Sequence, residues 1–149
     1  MIILKGKEEI ENMYKEITQR SEMGHFSYLL IRKDMLSEFD NINISTSQKI
    51  GLKLLSNCSI SNLEKYLNKL NLIEIEFLSF KDGRPFTMAK DLRKIFSYQG
   101  ELRASGNILP DQYIFLRRCG FCSVKIPIEK KKTWIEFYKK DPGLIYQEE

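Results

Sequence analysis

The sequence has little of what most catalytic and metal-binding proteins carry. It contains one histidine, His25, and one tryptophan among 149 residues. The Walker phosphate loop, the Gly-x-Gly-x-x-Gly dinucleotide turn, the His-Glu-x-x-His zinc motif and the nucleophile elbow are all missing. A lone histidine also makes a catalytic triad hard to assemble. The sequence therefore names no reaction and no metal, and the cofactor stays unknown.

Long hydrophobic runs are absent as well. Met1 opens a short apolar run that Lys5 interrupts, and no run approaches the roughly 20 residues of a membrane span. The three cysteines are an odd number, which argues against the disulfide framework of a secreted protein. Together these features predict a protein of the reducing cytoplasm that has no membrane partner.

Charge of one sign is not concentrated. The net charge is +4, from 24 basic and 20 acidic residues, and the only tight basic run is residues 130–132. A solvated helix start explains that run as well as a phosphate contact does. The sequence therefore predicts no nucleic-acid partner. Its length and its 42% hydrophobic content predict one domain, residues 1–149, with its own core.

Strand and helix patterns alternate from residue 50 onward. Predicted strands lie at 50–55, 72–78, 101–105 and 122–126, and predicted helices at 61–70, 87–97 and 110–119. This order predicts an α/β fold with a short, mostly parallel sheet of repeated β-α units. The sheet could be open and three-layered or form a partial barrel. We favour the open sheet, because these units are too few to close an eightfold ring.

The remaining chain flanks that core of residues 50–126. In residues 1–48, hydrophobic spacing predicts a helix at 8–20, followed by a strand at 26–31 and a polar loop at 34–48. In residues 127–149, Trp134 belongs to an aromatic stripe at helical spacing. That stripe predicts a C-terminal helix packed on the sheet, with docking to a partner as the alternative.

Polar residues follow three of the predicted strands, at 56–58, 81–84 and 105–107. The carboxyl ends of parallel strands share one edge, where α/β proteins bind ligands. Arg84 can donate two hydrogen bonds to a carboxylate, sulfite or phosphate, and Gly83 permits a tight turn. Asp82 either orients Arg84, binds a metal, or belongs to a purely structural turn.

The predicted strand at 101–105 carries charge where a central parallel strand is usually apolar. Alternation places Glu101, Arg103 and Ser105 on one face. Buried charges need partners, so the pair either forms a structural network or directs Arg103 toward a ligand. Two further sets sit at helix ends, Asp111 and Gln112 at a helix start and Arg117 and Arg118 in a last turn. The helix dipole accounts for Asp111 and for the two arginines.

Cys119 and Cys122 have the spacing of a redox pair. Reactive pairs normally open a helix after a strand, where the helix N-terminus lowers the thiol pKa. This pair closes a helix and precedes a strand, and the third cysteine and His25 are too distant in sequence to suggest zinc. We therefore predict neither a redox nor a metal role.

Several sequence motifs occur in the same order as in a known protein family. They are Phe80-x-Asp82-Gly83-Arg84, Ala89-x-x-Leu92-Arg93, Gly100-Glu101-Leu102-Arg103-Ala104-x-Gly106, Asp111-Gln112 and Leu116-Arg117-Arg118-Cys119-Gly120-Phe121. Across residues 50–126 the sequence resembles the bacterial domain of unknown function 934, whose members carry the label of an oxidoreductase involved in sulfite reduction. The label comes from neighbouring genes. Asn107, Lys81 and Pro110 depart from the family's pattern, and Cys122 stands where an acidic residue is usual.

The resemblance implies a functional cluster that coincides with the polar strand ends. The candidate anion-binding residues are Asp82, Gly83, Arg84, Glu101, Arg103, Gly106, Asn107, Asp111, Gln112 and Arg117. The first hypothesis is an accessory of sulfite reduction that binds sulfite reductase, another sulfur-assimilation enzyme or a small anion through this cluster. The alternatives are a small oxidoreductase-type enzyme acting on an anionic sulfur metabolite, with Asp82 or Glu101 as acid or base, and a plain interaction module. A homodimer stays open.

Overall fold

The computed structural model describes residues 1–38 and 47–141. The strands are β1 (Ile2–Lys5), β2 (Glu8–Ile10), β3 (Lys15–Glu16), β4 (Tyr28–Arg32), β5 (Lys49–Leu55), β6 (Leu72–Phe77), β7 (Glu101–Gly106) and β8 (Ser123–Ile126). The α-helices are α1 (Arg84–Lys94), α2 (Tyr113–Cys119) and α3 (Lys131–Lys139). Short 3-10 helices lie at Arg20–Glu22, Lys33–Glu38, Glu64–Lys69, Pro110–Gln112 and Ile128–Lys130.

All eight strands join one sheet in the order β2-β1-β8-β7-β6-β5-β4-β3. Strands β3 to β8 run parallel in consecutive order, and β1 adds antiparallel to β8 and β2 antiparallel to β1. The predicted α/β class is confirmed, and the sheet is a curled half-barrel rather than the open three-layer form that we favoured. Consecutive order with right-handed crossovers never reverses, so the crossover helices all lie on one face.

The two faces of the sheet differ in chemistry. Along β7, Leu102 and Ala104 point to the helix side and are fully buried in the hydrophobic core. The alternate residues Glu101, Arg103 and Ser105 point to the opposite, inner face. The register puts Glu74 of β6 beside Arg103, so the inner face carries a row of charged side chains across neighbouring strands.

The curl follows from one short connection. Strands β2 and β3 lie at opposite edges of the sheet, yet only residues 11–14 join them. Five backbone steps span at most about 18 Å. A flat sheet of eight strands would separate its edges by roughly 34 Å. The sheet must therefore bend until its edges face each other, and residues 11–14 form a strap across the opening.

The predicted helix at 8–20 is wrong. Gly6 has a φ of +62°, which suits the first central position of a two-residue hairpin turn, and the chain returns as β2 beside β1. The hydrophobic spacing that suggested a helix instead places Ile17 in the core after β3. Strand β1 was not predicted, since four residues are too few to show a period. The predicted strands at 26–31, 50–55, 72–78, 101–105 and 122–126 are confirmed with small shifts at their ends.

Helix boundaries were predicted less well. Helix α1 begins at Arg84 with Gly83 before it, three residues earlier than the predicted start at 87. Ile95, just after the end of α1, is 68% exposed. The predicted helix at 61–70 is a 3-10 helix at Glu64–Lys69, and Leu63, Tyr66, Leu67 and Leu70 are buried. Much of the predicted loop at 34–48 lies outside the described residues.

A C-terminal helix with a buried Trp134 is present as predicted, but it packs mainly on α2 and not on the sheet itself. Trp134 of α3 is 1% exposed, and its ring meets Tyr113 of α2 edge to face at 5.1 Å. Helix α3 thus covers α2 on the helix side of the sheet. Burial removes Trp134 from any docking surface, and the interaction-module hypothesis loses the residue on which it depended.

Candidate functional site

Asp82 and Arg84 form a locked pair beside the carboxyl end of β6. The Asp82 carboxylate accepts hydrogen bonds from Arg84 Nε at 2.9 Å and from Arg84 Nη2 at 2.8 Å, and also from the Arg84 backbone amide at 3.1 Å. The Asp82 side chain is 6% exposed, whereas that of Arg84 is 59% exposed. Asp82 therefore orients Arg84 and holds its guanidinium at the surface in one direction.

The pair is built into the sheet edge through Ser56. Hydrogen bonds from the Arg84 guanidinium and from the Ser56 hydroxyl hold the pKa of Asp82 well below its usual range. The same Ser56 hydroxyl oxygen accepts the Leu78 amide at 3.3 Å, and Asn107 Nδ2 donates to the Leu78 carbonyl at 3.0 Å. The ends of β5, β6 and β7 are tied together at this edge.

We expect Asp82→Asn to lower the free energy of unfolding by about 1 kcal/mol at pH 7, since Arg84 is largely exposed and its pairing is screened. A lowered pKa in the folded state stabilises the protein above the unfolded pKa of about 3.9 and loses that contribution as pH falls through the folded value. The difference between variant and wild type should hold from pH 7 to pH 5 and shrink by pH 3. Urea unfolding at the three pH values measures it. A difference that grows on acidification would contradict the assigned pairing.

Four exposed apolar side chains share the carboxyl edge of the sheet with this pair. We use apolar rim for Leu55, Leu78, Phe80 and Leu109, which follow or end β5, β6 and β7 and are 39–52% exposed. Exposed Lys81 and Arg84 adjoin the rim. Exposed apolar side chains gathered at one edge are typical of protein interaction sites. An open groove of about 450 Å³ lies beside Arg84, and its lining also includes Ser56, Cys58 and Thr87.

Arg103 occupies a different place, on the inner face of the half-barrel. It is 3% exposed and donates to Glu101 at 2.7 Å, to Ser123 at 3.1 Å and to Asn12 of the strap at 3.5 Å. Its guanidinium also lies 6.0 Å from the centroid of the Tyr14 ring. Of the two alternatives for this residue, the structure shows the buried network.

The network continues along the inner face. Glu74 is 1% exposed and accepts one hydrogen bond, from Ser105 at 3.1 Å. Lys53 lies 3.3 Å from both Glu16 and Glu76. Burial acts to lower the pKa of Lys53, but Glu16, Glu74 and Glu76 together outweigh it, and the pKa is raised. The inner face therefore carries four carboxylates, Glu16, Glu74, Glu76 and Glu101, and two cations, Lys53 and Arg103.

The predicted cluster divides into separate groups. Gly83, Gly106 and Asn107 lie with Asp82 and Arg84 at the carboxyl edge, where the virtual Cβ of Gly106 would come within 2.6 Å of the Phe77 carbonyl oxygen. Glu101 and Arg103 lie on the inner face. Asp111 is exposed, and the Gln112 side chain accepts the Leu109 amide at 2.9 Å, so both belong to a helix start. Arg117 lies at the opposite edge, against Tyr138. Within the described residues, Arg84 and Arg103 have no hydrogen-bond partner in common.

Sequence reasoning missed the brace formed by Arg93. Its guanidinium donates to the carbonyls of Gly120, Tyr98 and Gly100, which links α1 to the starts of β7 and β8. It also lies 3.1 Å from Cys122 Sγ. An acidic side chain at position 122 would face the Arg93 guanidinium and form an ion pair with it. This is a physical reason for the acidic residue that the family resemblance leads one to expect there.

The two cysteines of the Cys-x-x-Cys sequence are free thiols. Burial raises the pKa of Cys119, which makes its thiolate unfavourable. Across residues 1–38 and 47–141, no three His, Cys, Asp or Glu side chains are grouped in a way that could hold a metal ion. Nor does this part of the chain contain a helix long and apolar enough to cross a membrane.

Fold and site together define a small α/β half-barrel protein with a fixed surface arginine in an apolar rim. The chain belongs to the family described as bacterial proteins of unknown function, DUF934, whose sequence profile matches residues 51–149. That match covers β6 to β8, all three α-helices and nearly all of β5. No curated protein and no solved structure gave a significant match to the chain.

Proposed function

We propose that the protein is a non-catalytic accessory of sulfite reduction that docks on sulfite reductase or another sulfur-assimilation enzyme through the apolar rim. The observation that carries the proposal is the Asp82-locked Arg84 beside exposed Leu78 and Phe80. Arginine and aromatic side chains supply much of the binding energy at protein interfaces, especially when they are rigid before binding. The process itself comes from the family resemblance.

Arg84 has the chemistry to recognise an anionic group on the partner. Asp82 occupies Nε and Nη2, and in the described part of the chain Nη1 donates to no other group. A partner carboxylate or a small oxyanion can accept from Nη1 while Asp82 keeps the guanidinium in place. Apolar contacts at the rim would surround this polar contact and exclude water from it. Exclusion of water strengthens a polar contact.

The same geometry weakens the enzyme alternative, in which Asp82 or Glu101 acts as acid or base. An effective general acid or base has a pKa near the working pH, and the pKa of Asp82 is held well below its usual range. Glu101 accepts from Arg103 and Ser123 and lies 3.5 Å from Lys5. Both carboxylates are committed to structural partners.

The test is the affinity of the purified protein for the purified sulfite reductase of the same organism. We expect Phe80→Ser and Arg84→Gln each to weaken binding at least tenfold, which corresponds to about 1.4 kcal/mol. Ile95→Ser is the matched control, because Ile95 is equally apolar and 68% exposed at the far end of α1. Melting temperatures should stay within a few degrees of wild type for all three.

Two results would overturn the proposal. One is a complex whose affinity is the same for wild type, Phe80→Ser and Arg84→Gln, since docking would then use another surface. The other is the absence of any complex with the reductase at protein concentrations up to 100 µM. Turnover of sulfite by the protein alone would favour the enzyme alternative instead.

A further inference from the structure

A second groove lies at the amino-end edge of the parallel strands, opposite the apolar rim. Its volume is about 510 Å³, and its lining includes Lys5 and Lys7 of the β1–β2 hairpin, Arg117 of α2 and Tyr138 of α3. Glu8 is the one carboxylate that lines it. We name it the basic groove. The proposed function makes no use of this surface.

One buried hydrogen bond holds the hairpin turn that carries Lys5 and Lys7 against the helix that carries Arg117. The Tyr113 hydroxyl, on a side chain with no exposure, donates to the Gly6 carbonyl at 2.5 Å, which fixes the hairpin turn against α2. Arg117 follows Tyr113 by four residues and therefore lies on the same side of the helix. Lys5 and Lys7 flank Gly6 in the turn, and both line the same groove as Arg117.

Arg117 differs from the other two arginines of the predicted cluster. Arg84 is paired with Asp82, and Arg103 with Glu101. Arg117 instead stacks on the Tyr138 ring at 5.1 Å, and among the described residues it has no carboxylate partner. The Arg117 guanidinium also hydrogen-bonds the Tyr113 side chain. Its other in-plane N–H groups stay available for a ligand, since stacking does not use them.

The charges of the groove select the ligand. Lys7 makes no ion pair in residues 1–38 and 47–141, and Lys5 has only a long contact to Glu101 at 3.5 Å. Three cations against Glu8 leave an excess of positive charge, on groups that donate hydrogen bonds and accept none. We propose that the basic groove binds a tetrahedral oxyanion, phosphate or sulfate, free or as part of a small metabolite whose body packs on Tyr138.

The test is titration of the purified full-length protein with sodium phosphate and, separately, sodium sulfate, with chloride keeping the ionic strength constant. Binding is followed by melting temperature and by isothermal titration calorimetry. Sulfate and phosphate stabilise many proteins by exclusion from their surface, without binding at a site. Specific binding is therefore judged from the difference between wild type and variants. We expect the Kd for the preferred anion to rise at least tenfold in Arg117→Gln and about fivefold in Lys7→Gln.

Arg118→Gln is the matched control for Arg117. Arg118 is adjacent on α2, is 62% exposed and pairs with Asp141 outside the groove lining. Lys7→Gln guards against a folding defect in Arg117→Gln, since Lys7 lies in an exposed turn. The proposal fails if all variants respond like wild type, or if Arg84→Gln abolishes the response instead. Loss of reductase binding in rim variants would leave this result unchanged.

Discussion

Trp134→Ala is expected to lower the free energy of unfolding by about 3–5 kcal/mol. The side chain is 1% exposed and packs edge to face on Tyr113, so truncation leaves a large cavity between α2 and α3. A loss of this size is a large share of the stability of a small domain. The measurement is guanidinium unfolding followed by circular dichroism, because the variant loses the protein's only tryptophan fluorescence.

Two further variants calibrate this result. Trp134→Phe keeps an aromatic ring and should cost less than half as much, whereas Glu136→Ala changes an exposed position of the same helix and should cost less than about 0.5 kcal/mol. A loss below 1 kcal/mol for Trp134→Ala would mean that α3 contributes little to the core, and its packing would have to be reconsidered.

The second large effect is expected at Arg103. Arg103→Met should cost about 3 kcal/mol, because it leaves the Glu101 carboxylate and the Ser123 hydroxyl without a buried cationic donor. The double variant Arg103→Met, Glu101→Met should lose much less than the sum of the two single losses, since removing both partners also removes the desolvation penalty. Urea unfolding of wild type, both single variants and the double variant gives the coupling energy.

Arg118→Gln supplies the matched control for this pair. Its ion pair with Asp141 has a similar composition but lies at the surface, where such pairs contribute about 0–1 kcal/mol. Equal losses for Arg103→Met and Arg118→Gln would contradict a buried network at β7. Additive losses in the double variant would show that Arg103 and Glu101 act independently.

The strands from 50 to 126 were predictable because each is a short apolar run between turn residues, and their order required a parallel sheet. The N-terminal strands were not, because β1, β2 and β3 have two to four residues each and take their stability from pairing with distant strands. The curl of the sheet was not predictable from the sequence either. It depends on the order of all eight strands, which places residues 10 and 15 at opposite edges.

Alternation in β7 correctly predicted that Glu101, Arg103 and Ser105 share a face. The prediction that Arg84, Arg103 and Arg117 lie in one cluster assumed that motif residues gather at one edge. The structure separates them. Arg103 lies within β7 on the inner face, Arg84 lies at the carboxyl edge beside β6, and Arg117 lies in the last turn of α2 at the opposite edge. Arg93 was overlooked because its partners are backbone carbonyls, which leave no trace in side-chain patterns.

The strap between β2 and β3 also determines how the sheet ends. Both outermost strands come from the first sixteen residues, before the region that the family profile covers. Without the first sixteen residues, which also include β1, strands β8 and β4 would present unpaired backbone amides and carbonyls, the kind of edge on which other strands add and proteins aggregate. One short N-terminal segment thus covers both edges of the sheet. Its own strands carry the charged residues Glu8, Glu9, Lys15 and Glu16, which disfavour pairing with further strands.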